Sequence, residues 1–305
     1  MIYAAARATE ATYDLAEGII WDQEQGLARW VDLRQGRVLA GKLNGDRIVV
    51  TATIEMGQSS AAVAIAEDGG IVVAAARGLA TISPAGQVSF GPDLLGEQSN
   101  VRLNDGSADM FGAFVVGSLT MGGYTGLESL LRIFPTGKVE ILREGVRLSN
   151  GVAFSPDGGT IYHVDTAART VSSHPYGFGP FDHNQQWVTI LDGNDLPTPA
   201  DGLTVDSEGM LWVALFGGGE VRRYSPIGDL LDIVTVDAAQ VTCPGFVGPN
   251  LDRLAISTAR EGLENSLSND GAIFLADVGV MGLPAHRWAG STTTPYWLLP
   301  ERDRA

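Results

Sequence analysis

One local frame recurs six times along the chain: an apolar residue, three or four turn residues, a glycine, then an aliphatic or aromatic run. It reads IIWDQEQGLARWVD, AIAEDGGIVVAAA, SADMFGAFVVGS, AFSPDGGTIYHVD, TVDSEGMLWVAL and GFVGPNLDRLAIS. The turn glycines are Gly26, Gly69, Gly112, Gly158 and Gly209, with Leu251 or Asp252 in the sixth copy, at intervals of 43, 43, 46, 51 and about 42 residues. A unit of that length holds several short strands, and such units arranged around an axis make a β-propeller. Chance turns in a β-sandwich have no reason to keep one frame at even intervals. Six units fill most of the 305 residues, which predicts an all-β, six-bladed propeller as a single domain over residues 1–305.

The rest of the pattern agrees. Glycine makes up 39 of the 305 residues, well above its usual share of roughly 7%, as a chain of many tight turns requires. LLRIFPTGKVEIL and VRRYSPIGDLLDIVTV read as hairpins, and GGG at 217–219 as a hairpin turn. The N-terminal residues and the GLPAHRWAG segment are expected to pair in one blade and close the ring. The longest irregular stretch, about 173–200, reads as an inter-strand loop at the rim.

Blades are related by rotation, so residues at one offset from each turn glycine share one height around the channel. Asn104, Asn150 and Asp201 each precede their glycine by eight residues, and Glu17 precedes Gly26 by nine. Ala61 and Pro244 take the slot in the other two blades. Each Asn-Gly or Asp-Gly alone is an ordinary turn dipeptide. The shared offset, with an apolar residue after each glycine, makes them starts of strands instead. Carboxylate and amide oxygens converging in a ring form an oxygen-rich cation site of the kind hard divalent ions favour.

Other chemistries lack their residues. A net charge of −16 repels phosphate backbones and argues against nucleic acid. Cys243 is the only cysteine, so no intrachain disulfide forms, and it reads as an inert core residue. No G-x-S-x-G elbow occurs. Of the four histidines, His163 sits in a strand with a structural role, and nothing fixes His174 or His183 at the channel mouth. No basic, apolar leader and no apolar run of membrane-spanning length is visible. The expectation is a cytoplasmic protein with no membrane partner; its oligomeric state stays open.

The chain resembles the senescence-marker-protein/gluconolactonase/luciferin-regenerating, or regucalcin-like, family. The resemblance is carried by LAEGIIWD…RWVDL, RLNDG, LSNGVAFSPDGGTIYHVDT, ADGLTVDSEGMLWVALFGGGEVRRYSP and GAIFLADVGVMGLPAHRWAG, nearly the whole chain. It implies a six-bladed propeller with one divalent metal in the central channel. Calcium, zinc, magnesium, manganese and ferrous iron all suit an oxygen-donor set. The ligands implied are Glu17, Asn150 and Asp201, with Asp201 also the general base. Arg102 and Asn104, in the Arg-x-Asn-Asp-Gly motif, match substrate-contacting positions. The implied activity is hydrolysis of an aldonolactone such as gluconolactone to the sugar acid. A non-catalytic cation- or ligand-binding propeller, and a hydrolase of other esters or phosphotriesters, are the alternatives. The chain departs from the family pattern at GSLTMGGYTG, where a carboxylate is missing near Met121 and Gly122, and this places the substrate's identity in question.

Overall fold

A computed structural model describes residues 1–97, 100–264 and 266–300. The strands form six antiparallel blades around a channel. Blade 1 comprises Ala16–Asp22, Leu27–Asp32, Arg37–Asn44 and Arg47–Glu55, from the axis outwards. Blades 2, 3, 4, 5 and 6 begin at the axis with Ser60–Ala66, Val101–Ala108, Ser149–Phe154, Ala200–Val205 and Gln240–Val247.

The turn after each innermost strand repeats as the sequence predicts. Gly26, Gly69, Gly112, Gly158 and Gly209 all have left-handed backbone, with φ between 64° and 84°. In blade 6 Leu251 adopts the same conformation, φ 55°, and its N–H donates to Gly248 O as the glycines' N–H groups do in their own turns. The aspartate of the turn holds its shape: Asp109 Oδ1 accepts from the N–H groups of Phe111 and Ala113, and Asp206 Oδ1 from those of Glu208 and Met210.

The apolar cores lie between blades rather than on the axis. One cluster joins blades 1, 5 and 6 around Trp30, Trp212 and Phe274; others join blades 1, 2 and 3, and blades 4 and 5. Each fully buried Leu, Ile or Val there contributes ~1.5–3 kcal/mol. Packing the wedges between the sheets in this way leaves the axis to polar side chains.

Closure differs from expectation. Ala6–Arg7 supplies the fourth strand of blade 6, and Ile2–Ala4 adds a parallel fifth strand to blade 5. The GLPAHRWAG segment does not join them. It crosses the far end of the channel, bridges Asp206 at Gly282, and runs parallel to the innermost strand of blade 2 at Arg287–Trp288. The stretch 173–200 is also less irregular than it reads, since Thr170–Pro175 and Val188–Leu191 are the two outer strands of blade 4. Among the described residues no helix is long and apolar enough to cross a membrane.

Two glycine substitutions separate backbone strain from blade packing. A Cβ on Gly26 meets nothing, so Gly26→Ala should cost only the left-handed penalty, ~1–2 kcal/mol. A Cβ on Gly245 would lie 2.1 Å from Ile19 O in blade 1, so Gly245→Ala should cost more, since one blade must move against another. Urea unfolding of the two variants measures this; equal losses would contradict the packing argument.

Candidate functional site at the channel mouth

Every innermost strand breaks its pairing near the same height. The registers shift between Glu17 and Ile20, Ser60 and Ala62, Leu103 and Gly106, Ser149 and Val152, Ala200 and Leu203, and Val241 and Pro244. A bulge bends the strand and re-aims its side chains. The glycine following the ring residue is required by the neighbouring blade: a Cβ on Gly151 would lie 2.6 Å from Leu203 N, and one on Gly202 2.7 Å from Thr242 O. Bulge and glycine together let strands converge on the axis while four of the six blades point a polar side chain from this slot into the channel.

Glu17, Arg102, Asn104, Asn150 and Asp201 line one cavity of about 400 Å³. Ala61 and Pro244 are not part of its lining. The two asparagines belong to a hydrogen-bond chain with one direction. Arg102 Nη1 donates to Asn104 Oδ1 at 2.7 Å, and Asn104 Nδ2 to Asn150 Oδ1 at 2.6 Å. Asn150 Nδ2 donates to Thr166 Oγ1 at 2.7 Å, and Thr166 Oγ1 to the Ala200 carbonyl at 2.7 Å. Asn104 Nδ2 also reaches Ser149 O at 2.7 Å, and behind it Ser149 Oγ pairs with His163 Nε2 at 2.7 Å. A guanidinium only donates and a carbonyl only accepts. The two ends therefore set the amide orientation of both asparagines.

The carboxyls are buried, and none forms an ion pair among the described residues; the charge of Arg102 only partly offsets the rise of Glu17. Burial pushes Glu17 well above the ordinary carboxylate range, and repulsion from Asp201 and Asp105 pushes it further. Asp201 is raised by burial and then by Asp105. Burial raises Asp105, whose Oδ1 accepts from Gly106 N–H, to about 6. Glu17 Oε2 is buried with no hydrogen-bond partner among the described residues. Cys243 is buried beside these groups; burial and their charges push its thiol up, which suits the inert role read from the sequence.

A second tier lies at the mouth. Arg34, Thr120, Met121, Thr166, Phe216 and Glu261 also line the cavity. All come from the outer end of a blade's second strand or the turn just after it. A forward count of eight from Gly26, Gly112 and Gly158 reaches Arg34, Thr120 and Thr166, and a count of seven from Gly209 reaches Phe216. His163 is fully buried in blade 4, held by Ser149 and Arg143. His174 stacks on Phe181, and His183 lines a separate groove beside Trp187 on the outside of the blade.

The sequence profile of the SMP-30/gluconolactonase/LRE-like region matches residues 15–260. The chain belongs to that family. A pentonolactonase of Haloferax volcanii is 31% identical over 294 residues, spanning 92% of this chain and 97% of the relative. A 6-deoxy-6-sulfogluconolactonase of Pseudomonas putida is 29% identical over 286 residues, 90% and 95% of the two chains. Among solved structures, a calcium-binding regucalcin of Agrobacterium tumefaciens superposes with a TM-score of 0.86 at 27% identity, covering 94% of this chain and 98% of its own.

One expectation from the family resemblance is corrected. Glu17, Asn150 and Asp201 were to hold a divalent cation, whether calcium, zinc, magnesium, manganese or ferrous iron. Among the described residues no group of three or more His, Cys, Asp or Glu side chains is arranged to hold a metal ion. The amide oxygen of Asn150 accepts from Asn104 Nδ2 at 2.6 Å. The donors present do not make up the expected metal site; burial and mutual repulsion instead favour a proton on at least one of the carboxyls.

Asp105 gives a stability prediction. Its pKa is raised from the model-peptide value of 3.8 to about 6, so the folded state loses stability as pH rises from about 4 to about 6. Asp105→Asn removes that loss and should stabilise the fold at pH 7 by ~1–3 kcal/mol. The gain should disappear below about pH 4, where both states of the wild type are protonated. Thermal unfolding across pH checks it; a variant less stable at pH 7 would show that Asp105 is paired.

Proposed function

We propose that the protein hydrolyses a sugar lactone in the channel-mouth cavity, opening an aldonolactone to its sugar acid. The observation that carries this reading is the placement of two buried carboxyls, Glu17 and Asp201, in one cavity with the Arg102 guanidinium and an oriented pair of amides. A cavity of about 400 Å³ accepts a single sugar ring. The family membership and the two relatives named as lactonases support the same class of reaction.

Lactone hydrolysis adds water to a carbonyl carbon and breaks the bond to the ring oxygen. Asp201 accepts the proton of the attacking water. Burial raises its basicity, and a base works best when its pKa lies near the working pH. Glu17, whose carboxyl is pushed towards its protonated form and whose Oε2 is unpaired, donates a proton to the departing ring oxygen. Two carboxyls that repel each other share protons unequally, which divides acid from base between them. Arg102 stabilises the negative charge that develops on the carbonyl oxygen, and Asn104 orients substrate hydroxyls. The apolar side chains of Leu15, Leu33, Leu119 and Phe216 around the cavity strengthen these interactions by limiting water.

Asp201→Asn keeps the shape and removes the base. It should lower kcat on the best lactone by roughly 10²–10⁴, measured by acid release at constant pH, with the fold intact by circular dichroism. A folded variant that turns over near the wild-type rate would refute the assignment of Asp201 as base.

A further inference from the structure

Two cations face the cavity that holds the reacting groups. Arg102, on the innermost strand of blade 3, is 7% exposed. Its Nη1 is engaged by Leu103 O and Asn104 Oδ1, while its Nε is buried with no hydrogen-bond partner among the described residues. Arg34 comes from the turn after the second strand of blade 1, and its side chain is 43% exposed. It lies close enough that its charge, after burial, helps to lower the Arg102 guanidinium to about 10, against the opposing pull of Glu17 and Glu261. Like charges brought into one small cavity are a cost that a bound anion relieves.

The partner that Arg34 has is weak. Its Nη2 lies 2.6 Å from Glu261 Oε1, and the Glu261 side chain is 39% exposed, so water screens the pair. An arriving anion displaces Glu261 at little cost. The wall at Thr120, Met121 and Gly122 carries no carboxylate to repel one. A guanidinium's donors form a fork that fits a planar or tetrahedral oxyanion.

We propose that the substrate is a lactone bearing an anionic substituent remote from its carbonyl, and that Arg34, aided by the field of Arg102, recognises that substituent by exchanging Glu261 for it. The shared chemistry is a compact oxyanion: carboxylate, phosphate or sulfonate. This inference rests on the reading of the site as a lactone hydrolase, and it makes Arg34 a specificity-determining residue.

D-Glucono-γ-lactone and D-glucaro-γ-lactone differ only in a terminal hydroxymethyl group or carboxylate. The carboxylated lactone should have the larger kcat/KM. Arg34→Gln should lower the ratio of the two kcat/KM values by roughly 10- to 100-fold, the worth of a hydrogen bond to a charged group. Arg34→Lys should retain part of the preference, and Glu261→Gln should increase it by freeing Arg34. A preference for the neutral lactone, or a ratio unmoved by Arg34→Gln, overturns the proposal. If neither lactone is hydrolysed, the hydrolase reading fails, and calorimetry on the wild-type protein decides this inference separately. Tighter binding of the glucarolactone, lost in Arg34→Gln, upholds it; equal or absent binding overturns it.

Discussion

The site depends on a single backbone irregularity repeated around the axis. Each innermost strand loses its register where the blades come closest, and there the chain places a glycine or another small residue next to a polar side chain. A regular strand would alternate its side chains between the two faces of its own sheet. The bulge breaks that alternation and turns Glu17, Asn104, Asn150 and Asp201 towards one another. The wedge-shaped cores between blades then hold these strands in place, so the polar groups at the axis inherit their rigidity from apolar packing several residues away.

Rigidity at the centre comes also from the directional chain from Arg102 through Asn104, Asn150 and Thr166 to the Ala200 carbonyl. It crosses three blades. Because its first member only donates and its last only accepts, reversing Asn104 breaks three bonds at once and reversing Asn150 breaks two. Thr166 therefore matters to the orientation of Asn104 although its hydroxyl bonds to Asn150 and Ala200 and not to Asn104. The buried carboxyls stand outside this chain, with only the charge of Arg102 set against their repulsion at Glu17, and that repulsion is a stored cost of the kind that active sites commonly carry.

Much of this was legible in the sequence, for a reason rooted in symmetry. Rotation maps equal offsets to equal heights, so counting back from Gly26, Gly112, Gly158 and Gly209 finds the inner ring residues without any coordinates. Leu251 in the sixth turn was legible only as a gap in the glycine pattern, because a left-handed leucine has no signature of its own. Arg34 and Thr166 lie eight residues after Gly26 and Gly158, so the same symmetry counted forwards reaches them, while Phe216 and Glu261 fall off that count because the second strands differ in length. The metal expectation fails on the donor set: among the described residues no three His, Cys, Asp or Glu side chains are grouped to hold an ion. Closure was half right, since the N-terminal strands complete blades 5 and 6 while the C-terminal segment crosses the channel floor.

On the proposed function, lactone hydrolysis takes place in the channel-mouth cavity. A crystal structure with a γ-lactam analogue, whose ring amide resists hydrolysis, tests that placement most directly. The ring should occupy the cavity with its carbonyl oxygen within hydrogen-bond distance of Arg102 and its carbonyl carbon facing Asp201 across one water. A lactam bound instead in the outer groove beside Trp187 and His183, or absent at saturating concentration, would contradict the account.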